Sequence, residues 1–70
     1  MIIRNLTIGN KVLLDNGMKK IIKSIVFLKG PPGTQDYYSI LFRGDRWRSV
    51  YNESGQHSLN KELNISELLE

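Results

Sequence analysis

Three arginines, Arg43, Arg46 and Arg48, stand close together in the stretch Asp36 to Tyr51, DYYSILFRGDRWRSVY. A guanidinium is a planar fork of five donors that fits phosphate or carboxylate two bonds at a time, and it loses little entropy per bond when its backbone is held. Tyr37 and Trp47 lie in the same stretch, and Lys19 and Lys20 precede it. Arginines to hold an anion, flat rings to stack on a base or an apolar group, and lysines to add diffuse attraction are the ingredients of an anion-binding surface. The expected ligand-binding residues are therefore Arg43, Arg46, Arg48, Tyr37, Trp47, Lys19 and Lys20.

What must position them is a hairpin. Alternation runs through both halves of the stretch, and Gly44-Asp45 sits at its centre. A glycine at the first position of a two-residue loop suits a type II′ turn, which matches the twist of antiparallel strands. Counting outward places Arg43 opposite Arg46, Phe42 opposite Trp47, Leu41 opposite Arg48, Ile40 opposite Ser49 and Tyr38 opposite Tyr51. One face then carries Tyr38, Ile40, Phe42, Trp47 and Tyr51 as core, with Phe42 against Trp47, while the other gathers the three arginines. Like charges facing one another in a hairpin destabilise it unless solvent or an anion offsets them, which marks the cluster as a candidate functional surface.

Charge supports the same direction. Positions 1–50 hold nine Lys or Arg and three acids, whereas positions 51–70 hold Lys61 and four acids, and the total is +3. A basic body with an acidic tail favours an anionic partner for the body, either nucleic acid or an acidic protein surface. Seventy residues fit one small domain, 1–70, of a size that buries only about 60% of its unfolded surface. Cysteine is absent, which removes disulfide staples and thiol nucleophiles. The opening MIIRNLTIGNKVLL, with charges at Arg4 and Lys11, lacks the pattern of a signal peptide, and Ile21 to Leu28 is interrupted by Lys23 and Ser24 and too short to span a bilayer. A cytoplasmic protein with no membrane partner is expected. Exposed strand edges and a small core gain from pairing, so a homodimer is expected as well.

Along the chain, Leu6 to Leu14 reads as a bent first strand with an irregularity at Gly9-Asn10. Asn16-Gly17 reads as a type I′ turn that pairs Leu14 with Lys19 and Val12 with Ile21. A long second strand follows from about Lys19 to Lys29, rich in Ile, Val and Phe and long enough to bend. Gly30-Pro31-Pro32-Gly33-Thr34-Gln35 cannot continue it, because two prolines remove two ladder donors. Asn52-Glu53-Ser54-Gly55 is turn chemistry. For the end, a short strand over Glu62–Ile65 followed by a helical turn at Ser66–Glu70 is preferred over a longer helix capped by Asn60. Five short β segments in so small a chain point to an all-β fold, a strongly bent five-stranded barrel with a short C-terminal helical turn.

At this level the segment Leu6-Thr7-Ile8-Gly9-Asn10-Lys11-Val12, with Asn16-Gly17 and the apolar run through Ile25, resembles the opening of SH3-like small barrels of the Tudor and KOW kind. The likeness covers about half of the chain. A second glycine closely followed by an inward valine is missing, and no complete Tudor aromatic cage can be placed. Compact proteins of this appearance are also common in bacteriophages and mobile elements. The resemblance implies binding without catalysis.

The residue inventory agrees with that implication. His57 is the single histidine, it sits beside a turn, and spacing assigns it no carboxylate or nucleophile partner. No acids have the spacing of a metal loop and no glycine-rich phosphate motif occurs, so no catalytic residue, metal or cofactor is expected. Arg43-Gly44-Asp45 spells the integrin-binding tripeptide, but the chain lacks the marks of secretion and the Gly-Asp pair has a turn explanation. The expected function is a non-catalytic binding module for an anionic partner, nucleic acid first. The alternatives are a small protein-interaction or inhibitory module, such as a phage-encoded protein that blocks a host enzyme, and a protein that sequesters a nucleotide signal.

Overall fold

The computed structural model describes residues 3–70. It is all β, with five antiparallel strands: β1 (Lys11–Leu14), β2 (Lys19–Leu28), β3 (Tyr37–Phe42), β4 (Ser49–Asn52) and β5 (Ile65–Leu68). They form one sheet in the order β4-β3-β2-β1-β5. The ten-residue β2 is shared by both halves of this sheet. Its first three residues pair with β1, and Ile22 to Leu28 pair with β3, interrupted by a bulge between Ile22 and Ser24. A bulge adds an unpaired residue, here Lys23, and bends the strand that carries it.

The bend lets both halves share one core. Val12 and Leu14 from β1, Ile22 from β2, Tyr38, Ile40 and Phe42 from β3, Tyr51 from β4 and Ile65 from β5 are buried together with Ile3 and Leu6. Tyr51 sits at its centre, edge-on to Phe42 at 6.3 Å and to His57 at 5.3 Å. Its hydroxyl donates to the Leu63 carbonyl at 2.8 Å. Burial pushes the phenol up to about 12, so it stays neutral and keeps that donor through the physiological range.

Hydrogen-bonded ladders do not close this sheet into a barrel, because β4 and β5 remain its two edges. The segments flanking those edges meet: the Ile65 N–H of β5 donates to the Gly55 carbonyl, just past the end of β4, at 2.9 Å, and the His57 N–H donates to Asn64 Oδ1 at 2.7 Å. Residues 56–58 cover the outside of β4, with the Ser58 N–H donating to the Val50 carbonyl at 2.9 Å.

Several sequence expectations are corrected in register or extent. The first strand is shorter than Leu6–Leu14: a 3-10 turn occupies Ile3–Asn5, and Thr7 to Asn10 form a separate turn in which Asn10 Oδ1 accepts from the Thr7 N–H at 2.8 Å. The first hairpin is shifted by one residue, pairing Val12 with Lys20 and Leu13 with Lys19. The reason is backbone sign. A type I′ turn needs positive φ at both central residues, but among the described residues only glycines have it, and Gly17 at φ 88 is the third residue of the loop Asp15-Asn16-Gly17. At the C-terminus the order is reversed. Asn60 caps a 3-10 turn at Lys61–Leu63, accepting from the Glu62 N–H, and the strand comes after it, so no helical turn lies at Ser66–Glu70.

His57 holds the approach to that capped turn. Its Nδ1 accepts from the N–H groups of both Leu59 and Asn60 at 3.0 Å, which places the ring proton on Nε2. Burial lowers the imidazole below its ordinary 6.5, since the charged form is disfavoured there. The unfolded chain then binds more protons than the folded one between the lowered value and 6.5. Stability from this group is complete above about pH 6.5 and is lost as pH falls through the lowered value. The thermal midpoint should fall on going from pH 7.5 to 5, and His57→Gln should flatten that fall, as followed by circular dichroism at several pH values.

Candidate functional site

The arginine stretch forms a six-residue loop, positions 43–48, between β3 and β4. The strands either side keep the register that alternation predicts, with Tyr38 opposite Tyr51 and Ile40 opposite Ser49. The tip does not. After Phe42 the backbone leaves β4: the Arg43 N–H donates to the Ile21 carbonyl of β2 at 2.8 Å, and the Asp45 N–H turns back to the Phe42 carbonyl at 3.2 Å. Gly44, at φ 84, takes the second central position of this turn, the geometry of type II in place of the expected II′. Lys20 reaches the loop from β2, and its Nζ lies 2.9 Å from Asp45 Oδ1 in a pair that is largely shielded from solvent.

Trp47 is thereby displaced from the core. It does not face Phe42 and is 83% exposed, whereas Phe42 is 2% exposed and packs against Tyr51. Exposure of this degree is unusual for the largest apolar side chain, which burial normally stabilises by several kcal/mol.

The three arginines also part company. Arg48 lies back over the outer face of the sheet, where its Nε donates to Ser39 Oγ at 2.6 Å and its Nη2 to the Ser39 carbonyl at 2.9 Å and Ser24 Oγ at 3.0 Å. It is a clamp across β2 and β3. Arg43 and Arg46 are exposed, and among the described residues neither has an acidic partner within an ion-pair distance. The single hairpin face of three equivalent arginines is therefore corrected to two free arginines and one that is bound to the scaffold. Arg48→Ala should lower stability by about 1–3 kcal/mol because it strips partners from Ser39, which is itself 9% exposed. Arg46→Ala should stay within about 0.5 kcal/mol of the parent. Urea denaturation of the two variants compares them directly, and equal losses would contradict the division.

Of the remaining expected residues, Lys20 joins the loop through Asp45, while Lys19 is exposed on the opposite side of β2 by strand alternation. Tyr37 begins β3 and so stands about 17 Å of strand away from Phe42 and the loop. It belongs to a different surface, opposite Leu28 and Asn52. The nearby Tyr38 and Tyr51 are core residues.

An open depression of about 310 Å³ lies on the loop, lined by Gly44, Asp45, Arg46, Trp47 and Ser49. Asp45 and Ser49 were not singled out by sequence reasoning, which used Asp45 only as turn chemistry and Ser49 only as a pairing partner. No local signal marks them, since the contact that orients Asp45 comes from Lys20, 25 positions away in the chain. Among the described residues, no group of three or more His, Cys, Asp or Glu could hold a metal ion, and no helix is long and apolar enough to cross a membrane.

No family model matches the chain, and comparisons with curated proteins and with solved structures likewise find no match.

Proposed function

We propose that this protein is a non-catalytic binding module that takes single-stranded nucleic acid on the Arg43–Arg48 loop. The observation that carries the reading is Trp47, 83% exposed between Arg46 and Arg48 on a loop whose one acid is already matched by Lys20. Base stacking on an exposed ring is worth about 1–3 kcal/mol and needs a base that is not buried in a duplex stack. Arg43 and Arg46, free of acidic partners, supply the phosphate contacts. The fold belongs to the proposal as a small SH3-like barrel whose two halves share the bent β2, and the bonds that tie Asn64 and Ile65 to the segment just past β4, at His57 and Gly55, support it. A cytoplasmic location fits the same reading.

Two phosphate contacts on a single strand give an expected slope of log K against log salt of about −1.4, from about −0.7 per contact. Arg43→Ala and Arg46→Ala should each flatten it by about half, as read from titrations of a thymidine oligonucleotide at several salt concentrations. Binding that ignores salt and both substitutions would sink the proposal.

A second reading has its own observation. Val26, Phe27, Leu28 and Tyr37, exposed at 39–49%, make the far end of the β2–β3 hairpin apolar, which suits a protein partner or a second copy of the chain. Under this reading the protein is an interaction or inhibitory module, and nucleic acid leaves its binding to the partner unchanged.

A further inference from the structure

We infer that the depression on the Arg43–Arg48 loop reads base identity and prefers guanine; this rests on the single-strand reading above and deepens it. The depression, of about 310 Å³ and open to solvent, has room for one planar group laid against the loop. Trp47 is among its lining residues, and Gly44 contributes no side chain to obstruct entry. Three polar residues also line it, Asp45, Arg46 and Ser49.

The carboxylate is what makes the slot selective. Lys20 holds Asp45 through Oδ1 at 2.9 Å, which fixes the side chain and offsets its charge, so that an approaching phosphate strand is not repelled. Oδ2 carries no protein hydrogen bond among the described residues, and each carboxylate oxygen accepts more than one. Guanine alone among the four bases presents two adjacent donors, N1–H and the N2 amine, on its pairing edge. A carboxylate accepts both in parallel, in the same forked manner that it accepts a guanidinium. Adenine and cytosine set an acceptor beside their amine, and that acceptor would face the second carboxylate oxygen. Thymine sets a carbonyl on each side of its one donor.

The test uses the full chain and thymidine nonamers that differ only at the central position, dG, dA, dC or dT. Trp47 is the single tryptophan, so its fluorescence reports stacking in the slot directly. The dG nonamer should bind about 5- to 150-fold more tightly than the others, the span expected of one bidentate contact to a base. Asp45→Asn should abolish that preference, while Lys20→Met, which removes the same ion pair but keeps the carboxylate, should only reduce it. Equal affinity for all four nonamers overturns the inference and leaves the single-strand reading intact. A guanine preference that survives Asp45→Asn, or is lost equally in Lys20→Met, overturns it too, because loop shape and not the carboxylate would then be responsible. No quenching and no binding with any nonamer removes both readings together.

Discussion

Phe42→Ala is expected to unfold most of the protein at ambient temperature. The ring is 2% exposed and meets Tyr51 edge-on at 6.3 Å, at the point where β3 and β4 close over the core. Deleting a buried phenyl costs about 3–5 kcal/mol, the lost transfer energy plus a cavity that its neighbours fill only in part. A chain of this length has about 4–10 kcal/mol of stability in total, at about 0.05–0.15 per residue. The loss is therefore comparable to everything that holds the fold. Phe42→Leu keeps most of the volume and should remain folded with a lowered midpoint. Thermal melts followed by far-ultraviolet circular dichroism compare the three proteins, and a Phe42→Ala variant that melts cooperatively near the parent's midpoint would show that Phe42 is not part of the core.

Trp47→Ala should do the reverse, leaving the melt within about 0.5 kcal/mol of the parent while weakening single-strand binding about 5- to 150-fold. Both halves of that expectation follow from 83% exposure: the indole has almost no contacts to lose in the folded protein and most of its surface to offer a ligand. Trp47→Phe should recover part of the affinity, because a smaller ring still stacks. A large drop in stability would put the indole back in the core, as simple alternation has it. Unchanged affinity would move the binding surface to the apolar end of the β2–β3 hairpin.

The contrast between Phe42 and Trp47 shows how far the sequence can be read. Alternation decides pairing wherever both strands continue, and Tyr38–Tyr51 and Ile40–Ser49 pair as it requires. It fails at the tip because the donor of Arg43 goes to Ile21 on a third strand, and Asp45 goes to Lys20 on the same strand. Nothing in the spacing of positions 36–51 refers to either partner. Asn16-Gly17 locates its turn correctly but not its type, since a one-residue change in loop length is invisible in composition. A closing strand near the C-terminus is legible, but its position after a turn capped by Asn60 is not, because β5 is placed by pairing with β1. For the site, basic and aromatic chemistry in one stretch was visible. The commitment of Arg48 to Ser24 and Ser39, and the exclusion of Tyr37, depend on which strands lie side by side.

The strand order also sets a sequence of events in time. Three of the four ladders join strands that follow one another along the chain, whereas the fourth brings Leu68 back to Val12. Closing a short loop sacrifices less chain entropy than closing one of more than fifty residues, so the run from β1 to β4 can zip up from its turns before β5 arrives. Every anchor of the Arg43–Arg48 loop lies within that early run: Ile21 and Lys20 on β2, Ser24 on β2 and Ser39 on β3. None of the loop's anchors therefore depends on the long-range closure that brings β5 to β1.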